Sequence, residues 1–434
     1  MKHFRSQMWI WIPLWGVLAT ALDARAQTIV SAPSNFQPLI QFHGFDPWSY
    51  FNPAQSPGRS RVYAGAEFLL WSVNGVDLPP LVTSNPLGTS ADDAGIIGAS
   101  STSVLFGGTV LDDAREGYRI SGGFRLTDRV AIEGRYFELA DEDFSATFDS
   151  RLGLILGRPY IELTPDTGPI RYETQLFEFP PLFEGSVNIR GRSSFRGGGL
   201  GVRLHVLQPR SSCGCAGPCT GTCAGQCDSM LGFPLAGCWV DRLSVYVGYR
   251  TLRLDESLRI EERLVDPADT FDIVDAFEAD SRFDGIEFGL EYGGWYKNVG
   301  FGTYGRLSAG LNSNSVGING STTIDGVLQA DPGGILTQRT NIGRTHEDVA
   351  AFSAQFGFNF YARLTPCLTA NVGYSGLYWS NVVRAGEQID LNVSGDLFPP
   401  VLAATPAGTI GARRTGTTSD LFAHGLNTGL TFAF

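Results

Sequence analysis

The sequence lacks an apolar run long enough to cross a membrane as a helix, which takes about 20 residues. Its longest such run, Met8 to Thr20, falls short of that length and is interrupted by Pro13. Any membrane-spanning part must therefore be built from strands, because only helices and closed barrels satisfy their backbone groups in lipid.

Basic residues are scarce as well. Lys and Arg number 32 against 44 Asp and Glu, which gives a formal net charge of −12. Nucleic-acid binding needs a basic face that neutralises phosphates, and the sequence contains no such face. We therefore expect no nucleic-acid partner.

Residues for catalysis are few. The chain has five histidines and no G-x-S-x-G motif. His346-Glu347-Asp348 could support a barrel hydrolase, but a positioned nucleophile or an activated water is missing from the pattern. We predict that the protein is not an enzyme and has no catalytic residues, no metal site and no cofactor.

The N-terminus has the features of an export signal. Lys2, His3 and Arg5 form a charged start, and Ala24-Arg25-Ala26 is a small-x-small cleavage site. We predict a cleaved signal peptide over residues 1–26 and a Pro-rich periplasmic linker over residues 27–60. Alternatively, the aromatic side chains between Phe42 and Phe51 dock inside the rest of the chain as a partial plug.

What the sequence has in abundance is strict alternation of apolar and polar residues, with Gly at 54 positions. In Asp420 to Phe434, Phe422, Leu426 and Leu430 share one parity and small or polar residues share the other, as in a half-buried strand. The other alternating segments are Val62–Trp71, Tyr118–Thr127, Val130–Tyr136, Arg192–Leu207, Leu243–Leu254, Arg282–Trp295, Val299–Leu311, Asp348–Arg363 and Leu368–Val383.

These segments predict an all-β fold, a transmembrane antiparallel up-and-down β-barrel over residues 61–434 with about 10 strands, within limits of 8 and 12. We expect it in the outer membrane of a diderm bacterium, in contact with outer-membrane lipid. The final strand ends on Phe434, as closing strands of bacterial outer-membrane barrels do. It is therefore expected to contact the barrel-assembly machinery.

Loop lengths support the barrel, because outer-membrane barrels have short periplasmic turns and long external loops. The predicted turns at 128–129, 296–298 and 364–367 are short. The predicted external loops are 74–116, 142–191, 255–281, 312–347 and 384–419. The exception is residues 208–242, a long periplasmic insertion. Within 142–191, Arg171–Phe179 is expected to pair with Asp143–Asp149 or to add a spanning pair.

Four tryptophans lie near predicted strand ends: Trp71, Trp239, Trp295 and Trp379. At the lipid–water boundary an indole keeps its ring in lipid and its N–H in the headgroup zone, so these residues predict an aromatic girdle. Core tryptophans are the alternative.

Several motifs resemble those of the BBP (beta-barrel porin) family of bacterial outer-membrane proteins. They are Ala66-Glu67-Phe68-Leu69-Leu70-Trp71, Asp77-Leu78-Pro79-Pro80-Leu81-Val82-Thr83, Ser103-Val104-Leu105-Phe106-Gly107 and Arg135-Tyr136-Phe137. The resemblance covers about Val62 to Phe434. It implies an outer-membrane barrel of largely uncharacterised role, and it carries no pore-lining or catalytic residues over to this chain.

The cysteines are concentrated in the predicted periplasmic insertion: Cys213, Cys215, Cys219, Cys223, Cys227 and Cys238, with Cys367 in a separate turn. In an exported protein neighbouring thiols usually oxidise, so we predict disulfides of unassigned pairing. A metal cluster is disfavoured because paired C-x₂-C motifs are missing. Disordered thiols are the remaining alternative.

By parity, a mixed set of charges points into the predicted lumen: Glu67, Arg119, Arg125, Glu133, Arg135, Arg203, Arg250, Glu287, Glu291 and Arg306. Opposite charges on neighbouring strands of a narrow barrel can pair across the interior. Barrels of about 8 strands are filled by side chains, so a barrel of about 10 predicts a plugged or very narrow lumen.

Two functions follow from these predictions. The first is a narrow, porin-like channel for small solutes or ions. The second is a non-transporting structural or surface-binding barrel whose long external loops contact an extracellular partner.

Overall fold

The computed structural model describes residues 61–127, 129–163, 171–207, 239–296, 298–365, 367–399 and 411–433. The predicted signal peptide, the linker, Phe434 and the cysteines from Cys213 to Cys238 lie outside these residues, so what was inferred about them stays a prediction. Within the described residues, no helix combines the length and the apolarity that a membrane-spanning helix needs.

Strands account for most of the described chain. In chain order they are β1 Val62–Val73, β2 Val76–Asn85, β3 Ser103–Val110, β4 Ala114–Arg125, β5 Val130–Leu139, β6 Glu142–Asp149, β7 Ile155–Glu162, β8 Arg171–Glu178, β9 Glu184–Leu207, β10 Trp239–Val265, β11 Thr270–Tyr296, β12 Val299–Ile324, β13 Val327–Leu328, β14 Gly343–Arg363, β15 Leu368–Val383, β16 Asn392–Val393 and β17 Thr418–Ala433. Short 3₁₀ turns cover Ser150–Leu152, Gly386–Gln388 and Gly395–Leu397.

Ten of these strands form a closed antiparallel ring. Its order is β1, β4, β5, β9, β10, β11, β12, β14, β15 and β17. The ring closes where β17 pairs with β1, from Tyr63 opposite Ala433 to Val73 opposite Ala423. The predicted antiparallel β-barrel is thereby confirmed, and each alternating segment lies in one ring strand.

The ring has an apolar outer band. On β14 Phe352, Phe356, Phe358 and Phe360 point outward and are exposed, while Ser353, Gln355 and Asn359 between them are buried. Other ring strands carry the same kind of outward set, including Leu200, Val247 and Leu426. An apolar belt around a polar interior is the arrangement that lipid requires of a barrel wall.

The short turns lie at one end of the ring, called the turn end. The Thr127 hydroxyl accepts hydrogen bonds from the amides of Arg129 and Val130 at 3.2 and 3.1 Å, which fixes the β4–β5 turn. Leu364 and Thr365 both donate to the Leu368 carbonyl, at 3.0 and 3.2 Å, and so close the β14–β15 turn. The opposite end carries the long connections and is called the loop end.

At the loop end four adjacent strands continue far past the apolar band. β9 to β12 are 24, 27, 27 and 26 residues long, against the roughly 9–11 residues that span a bilayer. β10 and β11 stay paired to Val265 opposite Thr270. The Asp266 carboxylate accepts from the Ala268 and Asp269 amides at 2.7 Å, an Asx-type turn. The prediction of a long loop at 255–281 is wrong, because this segment is a continuous hairpin.

The connections 74–116 and 142–191 form a second sheet at the loop end, with strand order β16, β7, β2, β3 and with β8 paired to β7. β6 instead pairs with the loop-end part of β9. The expected pairing of Arg171–Phe179 with Asp143–Asp149 is therefore wrong, since Arg171–Glu178 pairs with Ile155–Glu162. These strands add no spanning pair to the ring.

The described parts of the last two long connections, 312–347 and 384–419, fold inward rather than away from the barrel. Thr337, Gln338 and Asn341 are fully buried, as are Gln388 and Val393. Their partners are the inward faces of the long strands and of the second sheet. Together they enclose an apolar core that includes Leu258, Ile260, Phe277, Ile318, Ile335, Leu336 and Val393.

Candidate lumen site

The ten charged residues that parity assigns to the lumen lie on the inward faces of seven ring strands. Most of their side chains are joined in one group of ion pairs at the turn end, called the interior charge network. Because it lies within the apolar band, the network is shielded from bulk water by the barrel wall.

Glu67 on β1 anchors one side of the network. Its carboxylate binds the Arg119 guanidinium at 2.9 Å and accepts from the Asn371 amide at 2.7 Å. Arg119 also lies over the ring of Trp71, 5.4 Å from its centroid. Glu67 and Arg119 face each other across the β1–β4 pair, so strand register places them together.

Arg203 on β9 links two carboxylates on other strands through the barrel interior. Its guanidinium lies 2.7 Å from both Glu133 on β5 and Glu291 on β11. Glu291 also binds Arg306 on β12, and the Tyr63 hydroxyl donates to Glu133. β5 is paired with β9, and β11 lies two strands away from β9 in the ring, so these contacts join strands of the same side of the barrel.

A second interior link joins Arg135 on β5 to Glu287 on β11. The Arg250 guanidinium lies 3.8 Å from the same carboxylate and donates to Gln355 at 3.0 Å. Arg125 lies nearer the turn end, is buried, and takes part in contacts of its own. The structure thus brings the ten residues into one interior, with Arg125 at its edge.

Between the network and the turn end lies a cavity of about 350 Å³. All ten ring strands contribute to its lining, among them Tyr63 on β1, His205 on β9 and Thr431 on β17. The Arg203 side chain keeps 26% of its surface exposed, so solvent reaches the network from this cavity. The Nδ1 atom of His205 lies 2.7 Å from the Ser244 hydroxyl, which holds the imidazole against the wall.

Toward the loop end the interior becomes apolar. Five buried aromatic rings form a chain from wall to wall, called the aromatic layer: Trp71, Phe137, Phe195, Trp379 and Phe283. Successive ring centroids are 5.6, 5.3, 6.3 and 6.4 Å apart. Leu69, Leu252, Leu254 and Leu377 fill the space around the rings.

The prediction that the tryptophans form a girdle at the lipid boundary is wrong for the described indoles. Trp71 and Trp379 are fully buried inside the ring, and Trp295 stacks on the inward-facing Tyr361 at 5.7 Å. The Trp379 indole N–H donates to Asn312 at 2.8 Å instead of reaching toward headgroups. Trp239 begins a ring strand, but its side chain lies outside the described part. Strand parity thus places all three described indoles inside the ring, where Trp71 and Trp379 are core residues and the half-buried Trp295 lines the turn-end cavity.

Just past the aromatic layer, β15 bends into the lumen. Asn381 has a positive φ of 58° at a register shift in the β15–β17 pairing. Beyond this bulge the Val383 amide donates to Ser281 on β11 at 2.9 Å, and Arg384 binds Glu256 on β10 at 2.8 Å. Residues 382–398, called the inner segment, thus cross to the opposite wall.

Two other sequence candidates lie apart from the lumen. His346 is on the exposed part of β14, opposite Ser315, outside the interior charge network. Cys367 is exposed at the turn end and has no disulfide partner among the described residues. The structure brings neither of them to the cavity.

The sequence predictions did not include the aromatic side chains that contact the guanidinium groups of the arginines. The Tyr246 ring lies between Arg135 and Arg306, at 5.2 and 4.9 Å from their guanidinium carbons, and Tyr304 lies 5.2 Å from Arg306. Such contacts orient a guanidinium at little cost. The even parity that assigns Arg250 and Arg306 inward could have found both tyrosines.

A family model with the description Putative beta barrel porin-7 (BBP7) matches residues 63–434 of this chain. The chain belongs to the BBP7 family. The match spans the whole ring and the loop-end sheet, so the barrel and its outer-membrane location are those of the family. The resemblance inferred from the motifs is confirmed.

The solved structures to which this chain is similar include a FadL homologue of Pseudomonas aeruginosa. The match has 9% identity and a TM-score of 0.21, and it covers 86% of this chain and 90% of that one. The toluene transporter TbuX of Ralstonia pickettii has 10% identity and a TM-score of 0.18, over 86% and 89%. OmpT of Vibrio cholerae has 5% identity and a TM-score of 0.14, over 88% and 99%. No curated protein matches this chain.

Proposed function

We propose that this outer-membrane barrel is closed to solutes as folded and acts as a structural or surface-binding protein. The barrel would anchor the loop-end sheet and its apolar core at the membrane surface. The observation that supports this function best is the aromatic layer, which fills the lumen from wall to wall.

The aromatic layer is well suited to closure. Its five rings are at most 3% exposed and lie at the distances of packed aromatic pairs. An ion in such a layer would lose its hydration without gaining a polar partner, at a cost of several kcal/mol. A narrow lumen lined in this way excludes ions and polar solutes.

The inner segment adds a second barrier. Arg384 and Glu256 are buried, at 1% and 2% side-chain exposure, and Glu256 also accepts from the Ala385 amide at 3.2 Å. Removing the segment from the lumen would leave Glu256 buried and unpaired, which is strongly unfavourable. The segment therefore belongs to the folded core of the loop end.

Conductance in planar bilayers tests the closed lumen. Folded full-length protein should give no stepwise currents above background. A variant that combines Trp71→Ala and Trp379→Ala with a short turn in place of residues 384–417 should conduct, because both barriers are removed. Heat-modifiable migration in a detergent gel verifies that each protein is folded.

The matched control is Phe356→Ala with Phe360→Ala, which truncates two aromatic side chains on the outward face of β14. This variant should give no stepwise currents, like the unchanged protein. Stepwise currents from the unchanged, folded protein would overturn the proposal.

A narrow channel for small solutes or ions is the second candidate function. The charged cavity at the turn end favours it, since rings of charged side chains select ions in pores. This function requires the aromatic layer and the inner segment to move aside. Unitary currents from the unchanged protein would therefore favour the channel over the closed barrel.

A further inference from the structure

We propose that the turn-end cavity binds a small soluble oxyanion that carries carboxylate or phosphate groups. The proposal goes beyond the function given above, because the cavity lies on the turn-end side of the aromatic layer. An anion could bind there whether or not the lumen conducts.

The charge of the cavity is the first argument. Among the described residues, the lining contains six arginines and three glutamates: Arg119, Arg125, Arg135, Arg203, Arg242 and Arg306, with Glu67, Glu133 and Glu291. This positive excess is held inside a chain whose formal net charge is −12. Low-dielectric walls focus such a field on a bound anion.

The hydrogen-bond inventory is the second argument. Both oxygens of each lining glutamate already accept a hydrogen bond or an ion pair from Arg119, Asn371, Tyr63, Arg203 or Arg306. By contrast, the buried Nε–H groups of Arg135, Arg203 and Arg306 have no acceptor among the described residues. Buried donors without acceptors are costly, so the site is short of acceptor oxygens.

An oxyanion in the cavity would accept from the donors that stay accessible, such as those of Arg203. Arginine presents donors in a planar fork that matches carboxylate and phosphate, and lysine does not. In this chain every basic residue except Lys2 and Lys297 is an arginine. The Tyr246 ring contacts the guanidinium groups of both Arg135 and Arg306, so their donors are oriented before an anion arrives.

The size of the cavity limits the ligand. Its volume of about 350 Å³ is at the small end of the range of about 300–1,000 Å³ found for ligand sites. Because the Arg203 side chain keeps 26% of its surface accessible, an anion in the cavity can contact it. Inorganic phosphate and succinate both fit these limits and serve as probes.

Calorimetric titration of the detergent-folded full chain with inorganic phosphate tests the site, at constant ionic strength set with chloride. Binding should be saturable and one-to-one. Arg306→Gln should weaken it by about tenfold or more, as expected for a lost charged hydrogen bond. Glu291→Gln should tighten binding instead, because that carboxylate competes with the anion for Arg203 and Arg306.

The opposite directions separate binding from misfolding, since a damaged fold would weaken binding in both variants. Arg282→Gln is the matched control: it lies on the same strand as Glu291 but is exposed and paired with Asp284 at 2.9 Å. It should leave phosphate affinity unchanged. Succinate in place of phosphate determines which oxyanion the site prefers.

Three outcomes would overturn the proposal. The first is no saturable heat with either phosphate or succinate. The second is weaker binding in both Arg306→Gln and Glu291→Gln. The third is loss of phosphate binding when phosphate-headgroup lipid is added, which would assign the cavity to lipid rather than to a soluble anion.

Discussion

The turn-end and loop-end halves of the barrel have inverted surfaces, although the same strands run through both. On β10 the turn-end half exposes Val247 and Tyr249 and buries Ser244 and Arg250. The loop-end half exposes Arg253, Ser257 and Arg259 and buries Leu252, Leu254, Leu258 and Ile260. Even-numbered residues of β10 face inward in both halves. They are polar or charged in the turn-end half and mostly apolar in the loop-end half.

The inversion shows that the medium outside each half determines which face of its strands is apolar. Lipid surrounds the turn-end half, so charge is confined to the interior and must be paired there. Water surrounds the loop-end half, so its strands follow the ordinary rule of apolar residues inside and charged residues outside. The aromatic layer lies between the two interiors.

The loop-end core contains buried ion pairs, among them Arg384 with Glu256, and breaking the group around Arg158 should have the largest effect. Arg158 is 1% exposed and binds Glu262 at 3.2 Å and Asp275 at 2.5 Å, both fully buried. Arg158→Met would leave two unpaired carboxylates, at a cost of about 3–5 kcal/mol. Hydrogen exchange of β7 and of the loop-end part of β10 should report this loss, while the turn-end strands stay protected.

Arg151→Met is the control for this variant. Arg151 is exposed and pairs with the neighbouring Asp149, so the same substitution should leave exchange rates at wild-type values. Equal protection in Arg158→Met and wild-type protein would contradict the inferred role of the buried ion pairs.

The position of the lipid boundary gives the second prediction. Val247→Arg would place a charge on the outward face of the turn-end half and should destabilise the folded barrel by about 2–4 kcal/mol, as near a bilayer midplane. Ser257→Arg, on the same face of β10 but in the loop-end half, should have little effect. Equilibrium unfolding in liposomes measures both variants, and equal losses would disprove a boundary between residues 247 and 257.

The third prediction concerns pH. Burial raises the pKa of Glu262 from 4.5 to about 7, an effect that Arg158 offsets in part. When the pKa of a carboxyl is higher in the folded than in the unfolded protein, its contribution to folding stability is complete at pH values below the unfolded-state pKa. That contribution is lost as the pH rises through the folded-state pKa. Wild-type stability should therefore fall, relative to Glu262→Gln, between about pH 4.5 and 7, by at most about 3.5 kcal/mol at 1.4 kcal/mol per pKa unit.

Glu261→Gln serves as its control, since Glu261 is the adjacent outward residue on β10 and is partly exposed. Stability curves of this variant and of wild-type protein should run parallel over the same pH range. A difference between wild type and Glu262→Gln that does not change with pH would refute the assignment.

Much of the barrel wall could be predicted from local pattern. A period of two identifies each ring strand, and it assigns Glu67, Arg203 and Arg306 to the interior without any knowledge of their partners. It also contained enough information to place Trp71 and Trp379 inside. The girdle prediction failed because it weighed distance from the strand end above parity.

The loop end was harder to predict, because its structure depends on contacts between distant segments. Residues 255–281 are the exception, because their alternation of charged and apolar residues is a local strand signal that the loop prediction overlooked. By contrast, the burial of Gln338, Gln388 and Val393 depends on the walls that surround them. Side-chain partners such as Arg384 and Glu256 are 128 positions apart in the chain.

The sequence by itself determined the strands, their two faces and the existence of a lipid-facing ring, because the alternation of side chains is a local property of an extended backbone. Only the tertiary structure decided what fills the ring. Closure brings side chains from all ten strands into one narrow space, and it is their meeting there that produces the charged cavity, the aromatic layer and the inward path of the inner segment.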